Sequence, residues 1–171
     1  MRKLPLEQFS GSAAGLADWI GVPLAGLGIT SGLAAAGCIV AHFNLAALFL
    51  FLLSRCGLAT TRDGSTIIGA AVAILDRIAL AAVPFAFALS APEHALAACF
   101  MIVGFIAAFA GPSAEGDGLA ARVQGFYGVI VSLALATACI IPDWFGLIAY
   151  GSGVLGFVAA GLEVSEAGGA R

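Results

Sequence analysis

Charged residues are scarce in this sequence. Of its 171 residues only 10% are Asp, Glu, Lys or Arg, whereas 61% are hydrophobic, and the mean hydropathy is +1.08. Soluble globular domains carry roughly 25% charged residues, so this composition excludes a soluble protein and indicates a membrane protein. The seven Lys and Arg are outnumbered by ten Asp and Glu. They form no basic cluster, which argues against binding to nucleic acid.

Closely spaced cysteine pairs are also missing. The four cysteines lie in or at the ends of different apolar segments, with no CxxC spacing: Cys38, Cys56, Cys99 and Cys139. A metal or disulfide set would need such pairs. We therefore interpret these cysteines as small core residues.

Six apolar segments fill most of the chain, and most are close to the ~20 residues that a helix needs to cross a bilayer. They run roughly over 20–41, 44–59, 66–90, 94–111, 123–141 and 144–162. The sequence therefore predicts an all-α polytopic membrane protein with six transmembrane helices in a single bundle at 20–162. An amphipathic interfacial segment at 1–19 precedes the predicted bundle, and a flexible cytoplasmic tail at 163–171 follows it.

Positive charges alternate between the connections. All Lys and Arg except Arg77 precede the first segment, follow the last, or lie in every second connection: Arg2, Lys3, Arg55, Arg62, Arg122 and Arg171. The other three connections, near His42, Glu93 and Asp143, contain neither Lys nor Arg. The positive-inside bias therefore predicts that both termini are cytoplasmic.

Glycine and proline suggest how the bundle packs. Small residues allow close helix contacts in lipid, and the first and last segments carry Gly26, Gly28, Gly32, Gly37, Gly146, Gly151, Gly153, Gly156 and Gly161. Pro84 lies within the third segment, where we expect it to bend the helix and to favour a cavity beside it.

An acidic residue within an apolar segment is the strongest functional signal. Asp76 lies about ten residues into the third segment, near half depth at ~1.5 Å per residue. A carboxylate there costs at least a few kcal/mol unless it meets water, a metal or a cation. Arg77 points about 100° away on the same helix. We expect Asp76 either to take up a proton or to pair with Arg55 or Arg62. The alternative is that Asp76 and Arg77 only line a polar seam between helices.

The connection between the second and third segments reads SRCGLATTRDGSTIIG at 54–69 and is rich in small hydroxylated residues. Backbone amides around Gly64, the hydroxyls of Ser65 and Thr66, and the start of the third helix could bind a phosphate. Asp63 or Ser65 as a helix N-cap explains most of the same turn without a ligand. We expect Asp76 to face the bundle interior in a cavity open to the cytoplasm and bordered by 54–66.

Several stretches resemble the CDP-alcohol phosphatidyltransferases, which make phospholipids by displacing CMP from a CDP-activated lipid or alcohol. The matching stretches are PLAGLGIT at 23–30, LFLFLLSR at 48–55, ILDRIALAAVPFAFALSAPEHALAACFMI at 74–102, GFYG at 125–128 and CIIPDWF at 139–145. The longest is similar to one bacterial branch. The resemblance implies a six-helix protein of the bacterial inner (plasma) membrane, with membrane lipids and a CDP-activated lipid or alcohol as partners. It also implies a homodimer.

The family's motif, D-x2-D-G-x2-A-R-x8-G-x3-D-x3-D, is incomplete here. With Asp76 as the last Asp, Val72 stands at the third Asp and Ile68 at the Gly. Roughly seven residues upstream are missing, which leaves two alignments. Either Cys56-Gly57 falls near the Asp-Gly pair, or Asp63-Gly64 forms it and Thr60 replaces the first Asp. Both alignments lose at least two of the motif's four carboxylates.

The resemblance implies which residues would act if catalysis survived. Asp63 and Asp76 would hold Mg²⁺ or Mn²⁺, while the phosphates would bind Arg55, Arg62, Ser65 and Thr66. Hard cations need several oxygen ligands, so this depleted set predicts weakened or lost transfer. Three functions remain open: an enzyme with a rearranged site, a catalytically silent lipid-binding or partner subunit, and an ion or proton pathway using Asp76 and Arg77.

Overall fold

The computed structural model describes the backbone of residues 7–59, 67–109 and 119–169, and these residues are almost entirely helical. Side-chain environments are described for residue 21 and for 23–58, 71–109 and 122–165. The six helices are α1 (Glu7–Val40), α2 (Asn44–Ala59), α3 (Ile67–Ser90), α4 (Ala95–Phe109), α5 (Leu119–Ile140) and α6 (Phe145–Gly169). No strand occurs in these ranges, so the predicted all-α class is confirmed.

Within the described residues, five segments are long and apolar enough to cross a membrane: Pro23–Val40, Ala71–Ser90, Pro92–Phe109, Arg122–Ile140 and Pro142–Ser165. The chain is therefore compatible with a multi-pass membrane protein. Helix α2 is shorter, because its apolar part covers only Asn44–Leu58. At ~1.5 Å per residue this part is roughly 22 Å long, less than the ~30 Å of a hydrocarbon core.

Two observed helix ends differ from the predicted boundaries. Helix α1 begins at Glu7 and continues through residue 20 without a break; whether 1–19 lies in the interface stays a prediction. Helix α6 continues to Gly169, although we expected a flexible tail from residue 163. The residues after Leu162 include no proline, and Gly occurs only at the last two helical positions, so nothing earlier stops the helix.

The helices form two tight groups that share one apolar core. Helix α1 packs against α2 and α3, while α6 packs against α4 and α5, and further contacts join α2 to α5 and α3 to α4. The rings of Phe87 and Phe145 stack in the core with centroids 4.4 Å apart. Large apolar side chains also cover the outside, with Leu45 77%, Leu147 74% and Leu96 72% exposed. An apolar exterior of this kind suits lipid.

Two connections between helices have the same local structure. Ala91 and Ile141 are the non-helical residues before Pro92 and Pro142, with φ of −146° and −128°. Proline disfavours the helical conformation at the residue before it and is well suited to the first helical position, so each Pro ends one helix and begins a short 3-10 turn. In the connection between α1 and α2, His42 adopts a φ of 61°. The connections at His42, Ala91 and Ile141 lie at one end of the bundle, which we call the histidine end.

Close backbone contacts involve only some of the predicted glycines. A Cβ on Gly104 would lie 2.5 Å from the carbonyl oxygen of Gly153, because α4 and α6 touch there. A Cβ on Gly28 would lie 2.7 Å from Leu58 Cγ, and one on Gly32 would lie 2.9 Å from Ser54 Oγ. Gly156 is packed as tightly. Outside the backbone of their own helix, no described atom lies within 4 Å of the corresponding position at Gly26, Gly37, Gly146, Gly151 and Gly161.

The cysteines are only partly core residues. Cys139 is buried and Cys38 is half-buried, but Cys56 and Cys99 are exposed, so the prediction is wrong for these two. The reason is that a thiol is apolar enough to face lipid as readily as the core. A small apolar cavity of about 10 Å³ lies beside Pro84, between Leu80 and Met101, as predicted, whereas the bend of the helix stays a prediction.

Candidate functional site

The buried or half-buried charged side chains Arg55, Asp76, Arg77 and Glu163, together with Gln124, lie toward the end opposite the histidine end. Helices α2, α4 and α6 finish there, and α3 and α5 begin there. We call it the polar end. Two separate centres lie near it, one between α2 and α3 and one between α4, α5 and α6.

Asp76 and Arg55 form the first centre. Arg55 Nη2 on α2 donates to Asp76 Oδ1 on α3, and the two side chains are 20% and 28% exposed. The sequence had named Arg55 as one of two candidate partners for Asp76; the other, Arg62, lies outside the described residues. The cation offsets the cost of placing a carboxylate among apolar helices.

The guanidinium of Arg55 is held on a second side by an aromatic ring. Its Cζ lies 5.6 Å from the centroid of Phe51, which is close enough for a cation–π contact. Phe51 precedes Arg55 by four positions, so the two side chains share one face of α2. Arg55 Nε is buried, and no described residue forms a hydrogen bond with it. Arg55 therefore adjoins both Phe51 and Asp76.

The described residues do not fit a metal site. They contain no group of three His, Cys, Asp or Glu side chains able to hold a metal ion. Asp76 is already paired with an arginine. The other predicted residues of this site, Asp63, Arg62, Ser65 and Thr66, lie outside the described part of the chain, as do the predicted phosphate turn and most of the predicted border of the cavity.

Arg77 turns away from Asp76, as helix geometry predicts. Its Nη1 donates to the carbonyl oxygen of Phe109 at the end of α4, over 3.4 Å, and its Cζ lies 4.8 Å from the Phe109 ring centroid. A cation near the last carbonyls of a helix is favoured by the helix dipole. Asp76 and Arg77 thus contact two different helices.

The second centre, at Gln124 and Glu163, is absent from the sequence prediction. Gln124 Nε2 donates to the carbonyl oxygen of Ala108 at 3.0 Å and to Glu163 Oε2 at 3.1 Å. Glu163 is only 9% exposed, and its Oε1 has no hydrogen-bond partner among the described residues. Helical periodicity could have found it, because Glu163 follows the buried Gly156 by seven positions and so lies on the same face of α6.

In the part of the chain that the structure describes, two buried hydroxyls also lack hydrogen-bond partners, Ser54 Oγ and Tyr127 Oη. Ser54 lies against Gly32, and Tyr127 lies against Gly156. Each hydroxyl therefore faces a position where a neighbouring helix has no side chain.

Comparisons of this chain with protein-family models, with curated proteins and with solved structures return no match.

Proposed function

We propose that this chain is a six-span protein of the bacterial inner membrane, of the CDP-alcohol phosphatidyltransferase type, that has lost phosphatidyl transfer. It acts as a lipid-binding protein or as a partner subunit, and both of its termini are cytoplasmic. The matching stretches and the alternation of positive charge support this proposal. In this proposal helix α2 crosses the membrane in addition to the five longer segments. A short span is accommodated by local thinning of the bilayer or by oligomerisation, and a homodimer would provide the oligomerisation.

The pairing of Asp76 with Arg55 carries the proposal. Asp76 is the one carboxylate of the family motif that both alignments retain. A metal ion at this carboxylate would compete with the guanidinium, and displacing the guanidinium would leave a partly buried cation without its partner. The pairing thus stabilises the fold at the position where the chemistry of the family would need a free ligand.

The active alternative uses the same residues in another way. Asp63 and Asp76 would have to hold Mg²⁺ or Mn²⁺, and Arg55 would have to bind phosphate together with Arg62, Ser65 and Thr66. CMP would then be released as the phosphatidyl or phosphoalcohol group moves to the acceptor alcohol. The metal ion and the phosphate would thus compete with the observed pairing of Arg55 and Asp76.

The ion-pathway alternative has less support. A relay through Asp76 and Arg77 needs neighbouring groups that exchange protons or ions with each other. Asp76 is bound to α2, and Arg77 reaches the end of α4. No observation favours this function.

A turnover assay tests the proposal. Purified protein is incubated with radiolabelled CDP-diacylglycerol and candidate alcohols across a range of Mg²⁺ and Mn²⁺ concentrations, and CMP release is measured. We expect no release above that of protein-free vesicles, because too few carboxylates are free to hold the metals. The matched variants are Asp76→Asn and Glu93→Gln, since Glu93 is exposed at the histidine end. Metal-dependent release that Asp76→Asn abolishes and Glu93→Gln preserves would establish the active alternative instead.

A further inference from the structure

Two charged side chains at the polar end, Glu163 and Arg77, have no opposite charge beside them among the described residues, where the ion pair is that of Arg55 and Asp76. Glu163 is 9% exposed, and its Oε2 accepts a hydrogen bond from the neutral amide of Gln124. Arg77 is half-buried and donates to a neutral carbonyl oxygen. A charge removed from water is costly unless it meets an opposite charge.

The second oxygen of Glu163 receives nothing from its described neighbours. Oε1 is buried, and no described residue forms a hydrogen bond with it. Gln124 donates from its amide nitrogen to the carbonyl oxygen of Ala108 and to Glu163 Oε2, which uses both hydrogens of that nitrogen. Helix α4 contains no Lys, Arg or His, and Arg122 on α5 is exposed. Oε1 is therefore an acceptor that is open to a cationic donor.

Glu163 and Arg77 lie on two sides of the same helix end. Gln124, which holds Glu163, donates to the carbonyl oxygen of Ala108 at 3.0 Å, and Arg77 donates to that of Phe109 at 3.4 Å. Ala108 and Phe109 are the last two residues of α4. The contact of Arg77 is long, and its guanidinium has further N–H groups. An anion and a cation with unused bonding capacity thus lie beside adjacent carbonyl groups.

These charges lie at the level of lipid headgroups. One apolar segment ends at Phe109, another ends at Ser165, just after Glu163, and a third begins at Arg122, just before Gln124. The ends of spanning segments reach the polar layer of a bilayer, where basic pockets between helices bind lipid headgroups. The ligand chemistry at hand is therefore the phosphate of a phospholipid and, in some lipids, an amine.

We propose that Glu163 and Arg77 bind the zwitterionic phosphoethanolamine headgroup of a membrane lipid. The primary ammonium donates to Glu163 Oε1, and the phosphate accepts from Arg77, since a guanidinium suits phosphate oxygens. One ligand thus supplies both missing charges. A glycerol headgroup lacks the cation, and a choline headgroup has no N–H to donate. This site rests on the lipid-binding form of the proposed function, but it shares no residue with the Asp76 and Arg55 centre.

Native mass spectrometry of the full chain tests the preference for this headgroup. The protein is released from nanodiscs that contain equal amounts of phosphatidylethanolamine, phosphatidylglycerol and phosphatidylcholine with identical acyl chains, and the retained lipids are identified. We expect several-fold more phosphatidylethanolamine than either competitor. Glu163→Gln, which keeps the size of the side chain, should remove the preference, and Arg77→Met should weaken retention. Glu93→Gln, at an exposed carboxylate of the histidine end, is the control that should preserve the preference.

Coupling of the lipid amine to Glu163 is a second measurement, and it needs no variant. In phosphatidylethanolamine bilayers, a hydrophobic carbodiimide joins a carboxyl group to a neighbouring amine. The amine nitrogen bonds to the carboxyl carbon, and the carbodiimide takes up the elements of water and leaves as a urea. We expect mass spectrometry to find the lipid amide on Glu163 at several-fold higher yield than on Asp76, whose carboxylate is paired with Arg55.

Three results would overturn the proposal: equal retention of the three lipids, a preference that survives Glu163→Gln, or absence of the lipid amide on Glu163. Displacement of the lipid by soluble glycerophosphoethanolamine, with the same amide formed on Glu163, would also overturn it, by showing that the ligand is a free headgroup compound. These failures would leave the loss of phosphatidyl transfer standing. CMP release in the turnover assay would contradict that loss without affecting this site.

Discussion

At the scale of single residues, the carboxylates of Asp76 and Glu163 inside the bundle have partners of different charge. Asp76 meets the guanidinium of Arg55, and Glu163 meets only the neutral amide of Gln124. The difference comes from the neighbouring helices, because α2 carries an arginine at the level of Asp76, whereas α4 carries no ionisable group at the level of Glu163.

Substitutions at Arg55 and Asp76 test whether the ion pair stabilises the bundle. Arg55→Met keeps an apolar stem against Phe51 and leaves the Asp76 carboxylate unpaired. We expect it to lower the free energy of unfolding by about 2–3 kcal/mol, the value of a charged hydrogen bond in an apolar setting. The double variant Arg55→Met with Asp76→Leu should recover most of this loss, because it leaves no buried charge behind.

The measurement is reversible unfolding in mixed micelles, and Arg122→Met, at an exposed arginine on α5, is the control that should change little. If the double variant is as unstable as Arg55→Met alone, the pair is not what stabilises this position.

At the scale of helices, the tightest contact is that between α4 and α6. Gly104 and Gly153 meet backbone to backbone, and Gly156 completes the contact against Gly104 and the Tyr127 hydroxyl. Lipid tails do not drive apolar helices together, so association depends on how closely the backbones can approach. The absence of side chains at these three positions permits that approach.

Adding one methyl group tests this contact. Gly104→Ala should lower the free energy of unfolding by roughly 1–3 kcal/mol, because its Cβ would lie 2.5 Å from the Gly153 carbonyl oxygen and the helices would have to separate. Gly151→Ala is the matched control on α6, since no described atom lies within 4 Å of its Cβ position. It should be neutral or stabilising by up to about 1 kcal/mol, from the higher helix propensity of Ala. Equal effects of the two substitutions would argue against a backbone contact.

At the scale of the whole molecule, the question is whether α2 crosses the membrane with the other helices. Five segments have the required length, and the apolar part of α2 stops short of it. If α2 spans, the start of α1 and the end of α6 lie on the same side of the membrane as the loop after α2. If α2 does not span, an odd number of crossings remains, and the two ends of the chain lie on opposite sides.

Reporter fusions distinguish these arrangements. A reporter after Arg171 should be active only in the cytoplasm, and an epitope inserted at Phe43 should be accessible from outside, because the Lys and Arg of the connections fall on the other side. A matched epitope inserted after Glu93 should behave like the one at Phe43. A periplasmic signal after Arg171 would contradict the six-span arrangement and favour five crossings.

The sequence by itself determined the helical class, the positions of most apolar segments and the choice of Asp76 as a residue that needs a partner. These follow from local composition, because hydrophobic length and the cost of a charge in lipid act wherever the residue lies in the fold. The sequence also placed Pro92 and Pro142 in connections, where proline limits the conformation of the residue before it.

Tertiary structure decided which arginine reaches Asp76, which glycines are in contact and which cysteines face outward. It also brought Gln124 of α5 to Glu163 of α6, 39 residues apart in the chain, where the sequence suggested only a flexible tail. Such pairings depend on the rotation and level of each helix against its neighbours. Ridges of side chains and close backbone contacts set that rotation and level, and a hydropathy pattern does not record them.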